Sequence, residues 1–174
     1  MSDTERTELT WNEMRDAARV YIKLVRAAES VSGRVHGELA NEGLTVSQFG
    51  VLEALFNLGS MCQRDLAAKI LKTSGNMTLV IDNLEKKGYV YRERSASDRR
   101  FMNIHLTDSG RTFIGSMYAG HLARIMREME VLSPEERQEF GRLCGKVGIG
   151  REEADKPSFA AYERTIRHMV AART

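Results

Sequence analysis

Residues 74–110 read SGNMTLVIDNLEKKGYVYRERSASDRRFMNIHLTDSG, and few folds accommodate that order. An amphipathic helix comes first: Met77, Val80, Ile81 and Leu84 share one face, and Gly88 stops it. A strand is expected over 89–94, then a polar loop carrying Asp98-Arg99-Arg100. A second strand is expected over 101–106, where Met102, Ile104 and Leu106 alternate with Phe101, Asn103 and His105. Thr107 can cap another helix. A helix backed by a basic hairpin is a winged unit, and a wing tipped with arginine makes sense against a polyanion.

The flanking sequence supplies the rest of such a unit. Thr45 and Gln48 form a capping box ahead of an apolar helix that runs to Leu58 and ends at Gly59. Two short helices, 63–71 and 74–87, follow with only a few residues between them, which is helix-turn-helix spacing. A long helix is expected over 10–40, with Val20, Leu24, Ala27, Val31, Val35 and Leu39 in one stripe. Gly33 and Gly37 inside it would mark a close crossing or a bend. Downstream, a helix over 107–132 precedes Ser133-Pro134-Glu135-Glu136, a strong helix start. That helix reaches about Val147. A last helix, 157–172, places Phe159, Tyr162, Ile166, Met169 and Val170 on one face. Long apolar stripes need a cover that a small winged unit cannot give, so a second copy of the chain is expected.

The expected fold is therefore mainly α with a small β-wing. A winged helix-turn-helix unit (44–110) joins a helical dimerisation lobe built from both termini (1–43 and 107–174). At 174 residues and 42% hydrophobic the chain can bury a core. No apolar run is long enough to span a membrane, and the N-terminus lacks an export signal. The two cysteines, Cys62 and Cys144, make neither a disulfide framework nor a metal set, so a cytoplasmic protein without metal or cofactor is expected. Charge is uneven: residues 1–62 carry 6 Lys/Arg against 9 Asp/Glu, and residues 63–111 carry 10 against 6. The excess of positive charge coincides with the winged unit, as a nucleic-acid footprint should.

On the helix 74–87, Gly75, Thr78, Leu79, Asp82, Asn83 and Lys86 point away from the core face, with Asn76 at its flank. Leu79 among polar neighbours has a partner in a major groove, where thymine presents a methyl group. Thr78 and Asn83 can hydrogen-bond base edges or phosphates, and the helix start favours a phosphate. A solvated helix with one stray leucine explains the helix alone equally well; the wing that follows tips the balance. There Arg99 and Arg100 can enter a narrow minor groove, with Asp98 holding one guanidinium in place. Arg92 and Arg94 serve either phosphates or solvation, while Lys86 and Lys87 are read as solvated.

Asp98-Arg99-Arg100, then Leu106-Thr107 and Gly110, after a helix ending Leu84-Glu-Lys-Lys-Gly88, resembles the winged unit of the multiple-antibiotic-resistance regulator (MarR) family. The likeness extends over about residues 10–148. It implies an obligate homodimer with interlocked terminal helices, acting on double-stranded DNA as a transcription regulator, usually a repressor released by a small molecule or by oxidation. Carried over, Ser74, Asn76, Thr78 and Leu79 fall on the recognition helix, and Arg100, supported by Asp98, on the wing. An inverted-repeat operator follows from the two-fold symmetry. Family ligands lie between the winged unit and the dimer lobe; the candidates here are Tyr21, His36, Phe49, Met117, Tyr118 and His121, a set suited to an aromatic effector or to ordinary core.

Two other readings stay open. A thiol-sensing regulator would use Cys62, at the start of a helix. A protein-interaction module would keep the winged fold without DNA. An enzyme is not expected: His36, His105, His121 and His168 make no metal-binding spacing, and neither a nucleophile motif nor a phosphate-binding glycine loop occurs.

Overall fold

The computed structural model describes residues 10–71, 73–94 and 101–149. The expected helix 157–172 and the wing tip 95–100 lie outside the described residues. The chain divides into two compact units, Met1–Gly37 and Glu38–Thr174.

The described residues of the first unit form one helix, α1 (Trp11–His36). Thr10 caps it with a full capping box: the Thr10 hydroxyl accepts the Glu13 N–H at 3.3 Å, and the Glu13 carboxylate accepts the Thr10 N–H at 2.8 Å. Donation to that carboxylate from the Thr10 N–H and from the Thr10 hydroxyl, each at 2.8 Å, holds the Glu13 carboxyl below its ordinary range. The helix stops four residues short of the expected end at residue 40, because Gly37 is its C-cap and residues 37–43 form turns. Leu39, assigned by its spacing to the helical stripe, is buried from that turn instead. A Cβ on Gly33 would meet nothing among the described residues. Trp11, Met14, Val20, Tyr21 and Ile22 are all exposed on α1.

The second unit is built around α2 (Val46–Leu58). Its sequence is apolar nearly all round, which suits a helix covered on several sides. Phe49, Val51, Leu52 and Leu55 are each no more than 1% exposed. The capping box operates as expected, with the Thr45 N–H donating to Gln48 Oε1 at 2.9 Å and the Gln48 N–H to Thr45 Oγ1 at 3.2 Å. Around α2 lie α3 (Gln63–Lys69), α4 (Ser74–Lys86) and α5 (Asp108–Met129), with α6 (Pro134–Ile149) following. Leu66, Met77, Ile81, Leu84, Ile104 and Ile114 complete the core. Burying each such side chain contributes about 1.5–3 kcal/mol. Glu53, on the half-buried side of α2, has its carboxyl pushed above the ordinary range by desolvation.

A three-stranded antiparallel sheet closes the unit in the order β1–β3–β2, with β1 at Met61–Cys62, β2 at Val90–Arg94 and β3 at Met102–Leu106. Val90 faces Leu106 and Arg94 faces Met102 across the hairpin. β1 has no counterpart in the sequence reading: two residues carry no periodicity, and the strand exists because the free edge of β3 offers partners, Met61 to Ile104 and Cys62 to Asn103.

The joint between α4 and α5 explains the motif glycines. Gly88, at φ 73°, lets the chain leave α4: its N–H donates to the Glu85 carbonyl and the Tyr89 N–H to that of Leu84, a Schellman closure. Thr107 locks onto this turn. Its hydroxyl donates to the Gly88 carbonyl at 2.6 Å and accepts the Gly110 N–H at 2.9 Å, and its N–H donates to the Tyr89 carbonyl. A Cβ on Gly110 would run into that same Tyr89 carbonyl. Tyr89 and Phe113 then stack across the joint at 4.4 Å.

Candidate nucleic-acid interface

Helices α3 and α4 with the turn between them form the helix-turn-helix. Leu71 in that turn is 90% exposed and holds φ at 53°, a backbone conformation that ordinarily favours glycine. Thr73 caps α4 by accepting the Asn76 N–H at 3.4 Å. Gln63 ties the two helices together, its amide donating to Thr78 Oγ1 at 2.8 Å. Neither tie was legible in the sequence; Gln63 and Thr78 lie 15 residues apart, and no local pattern joins them.

Met77, Ile81 and Leu84 are fully buried on one side of α4. Gly75, Asn76, Thr78 and Leu79 are exposed on the other, Leu79 at 62%. A Cβ on Gly75 would meet open space. Asn83 is half-buried, and Ser74 opens the helix by its backbone. The exposed group is therefore brought together on one face, with a leucine at its centre and the Thr78 hydroxyl engaged by Gln63. Asp98, Arg99 and Arg100 lie outside the described residues.

The cations near this face divide by commitment. Arg92, for which the sequence left phosphates or solvation open, is mostly shielded from solvent. It is held by Asp82 and Glu85 of α4, with Nη2 at 2.5 Å from Asp82 Oδ1. Lys87, expected in solvent, donates to the Gly43 carbonyl at 2.7 Å and so pins the loop before α2. Arg64 lies 5.1 Å over the ring of Phe101 at the base of the wing. On the outer side of the hairpin Tyr91 stacks on His105 at 5.0 Å, and Glu93 lies 3.3 Å from the His105 ring.

The effector candidates fall in both units. Tyr21 and His36 are on α1, Tyr21 exposed and His36 within 3.1 Å of the Ser32 hydroxyl. In the second unit Phe49 packs on His121 with ring centroids 4.4 Å apart, and Tyr118 accepts the Asn57 amide at 3.1 Å beside Phe56. Phe49, Tyr118 and His121 are buried. Met117 borders an open groove of about 250 Å³ that also involves Glu38, Glu42 and Arg124. Arg124 pairs with Glu38 at 2.5 Å on its rim.

Cys62 is the N-cap of α3 and opens onto a second shallow hollow of about 220 Å³ with Arg64 and Phe101; both cysteines are free thiols. Among the described residues no group of His, Cys, Asp and Glu could hold a metal ion, and no helix is long and apolar enough to cross a membrane.

The model of the MarR family matches residues 44–101. The HTH-type transcriptional regulator YkoM of Bacillus subtilis (strain 168) is 35% identical over 137 residues, 79% of this chain and 89% of YkoM. MhqR of the same organism, also an HTH-type transcriptional regulator, is 30% identical over 78% of this chain and 93% of its own. Among solved structures, Sco3205 from Streptomyces coelicolor, a MarR family transcriptional regulator in complex with DNA, superposes with a TM-score of 0.72. It is 25% identical, over 89% of this chain and 98% of Sco3205.

Proposed function

The chain belongs to the MarR family of winged-helix transcriptional regulators, and from that premise we propose how it works: as a cytoplasmic homodimeric repressor that binds an inverted-repeat operator and is released by a small molecule. The observation that carries the DNA half is the exposed face of α4, where Asn76, Thr78 and Leu79 stand over a fully buried Met77-Ile81-Leu84 side. In this reading α4 lies in the major groove, Gly75 lets the helix start approach a phosphate, and Leu79 meets a thymine methyl. Ser74 and Asn83 contribute backbone and flanking polar contacts, and Asp98, Arg99 and Arg100 enter the neighbouring minor groove. Leu79→Ala is expected to relax preference at a single base pair by about 1–3 kcal/mol. Equal losses on all sequences, measured by competition binding, would show that Leu79 reads no base.

Homodimerisation is supported by apolar side chains left uncovered at helical spacing. Phe140, Leu143 and Val147 are exposed on α6, as are Trp11, Met14 and Tyr21 on α1. Stripes of this kind serve association between copies.

Release requires a ligand that binds the DNA-incompetent arrangement more tightly than the competent one. The lever in this proposal is α5, which starts at the end of the wing strand and carries Met117, Tyr118 and His121 alongside Phe49. Simple phenols and aromatic acids are the probes. Substituting Met117 or His121 is expected to change their effect on DNA binding while ligand-free affinity stays within about tenfold. Unchanged responses in both variants would remove α5 from the mechanism.

A further inference from the structure

The candidate recognition helix carries acid where a DNA-facing surface calls for base. Asp82 and Glu85 are three residues apart on α4, hence neighbours on its surface, and unpaired carboxylates there would repel the phosphates they approach. One residue takes up both. Arg92 donates through Nη2 to Asp82 Oδ1 at 2.5 Å and through Nη1 to Glu85 Oε2, and its backbone N–H donates to Glu85 Oε1 at 3.3 Å.

The position of Arg92 makes this a built feature. In the hairpin register Arg92 stands opposite Ile104, which is fully buried, and cross-strand partners share a face. An arginine thus occupies an inward strand position, two residues from buried Val90. Its side chain is 20% exposed, against about 40% for each carboxylate. Its guanidinium is turned to the helix, and the cluster of one cation and two anions keeps a net negative charge. That is a poor phosphate ligand and a good tie between two elements. A planar guanidinium with two edges engaged also fixes an angle, which a lysine cannot do.

We infer that Arg92 is a positioning residue for DNA binding: by clamping Asp82 and Glu85 it offsets part of the acid on α4 and sets the angle of the wing strand against that helix, so that both reach one duplex together. The inference rests on the reading of α4 and the wing as the DNA-binding surface.

The test uses the full chain and a duplex selected by the wild-type protein, with binding followed by fluorescence anisotropy across a salt series. Asp82→Asn combined with Glu85→Gln removes two negative charges from the DNA-facing helix. Charge alone predicts tighter binding; the clamp predicts weaker binding, by about tenfold or more. Arg92→Lys keeps the charge and loses the fork, and is expected to fall with Arg92→Ala. An Arg92 that served as a phosphate ligand would be freed by the double variant, so that role also predicts tighter binding. Thermal melting of each variant confirms that the compared chains are folded, and the sign of the double-variant effect is read among folded chains. Tighter or unchanged binding by the double variant overturns the inference while wild-type binding leaves the DNA reading intact. A wild-type chain that binds no duplex overturns both.

Discussion

Gly110 has no room for even a methyl group: a Cβ there would collide with the carbonyl of Tyr89, which already accepts the Thr107 N–H. Gly110→Ala must therefore push α5 away from the turn after α4 or break the Thr107 bonds. A loss of about 3 kcal/mol or more is expected in urea unfolding; a change below about 1 kcal/mol would mean that the joint is soft. Thr107 and Gly88 were legible in the sequence as a cap and a helix stop; Gly110 stood there only as a residue of the family motif, because the carbonyl that crowds it lies 21 residues away. Arg92 was not legible. Its partners lie 7 and 10 residues away on another element, and only the strand register turns it inward. Leu71 was silent for a different reason: nothing in a leucine announces a left-handed backbone, and its position between two helices that must turn sharply is what imposes it.

At the scale of elements, helix starts were read well and helix ends less so. Thr45 with Gln48, Thr107, and Ser133 with Glu136 all cap as their residue types demand. The end of α1 was overrun because apolar spacing continues through Leu39 into a turn that buries the same side chain. Element α2 carries a titration that follows from its central place. Glu53 sits one turn from Phe49, which meets His121, and one turn from Asn57, which meets Tyr118. Desolvation raises its carboxyl above the ordinary value of 4.5, so the folded chain holds a proton that the unfolded chain has released. Between 4.5 and the raised value, stability therefore falls as pH rises, and the cost persists above it. Glu53→Gln is expected to be more stable than wild type at neutral pH, with the difference shrinking on acidification and disappearing below about 4.5. Urea midpoints across the pH range check this; a glutamine variant less stable at neutral pH would show that Glu53 is favourably paired as an anion.

For the whole molecule, the mainly helical fold with a small β-wing was readable because helix caps, strand alternation and positive charge fall together between residues 44 and 110. The effector candidates were not readable to the same degree. Phe49, Tyr118 and His121 are large buried side chains, and residues that fill a core and residues that line a ligand share the same spacing and chemistry. The central claim is that two copies of this chain present two α4 helices to successive major grooves. Selection of bound duplexes from random DNA by the full-length protein tests it most directly. The account predicts enrichment of an inverted repeat with half-sites centred about 10–10.5 base pairs apart, one helical turn, bound less tightly as salt rises. Recovery of unrelated sequences, or of single half-sites with no symmetric partner, would contradict it.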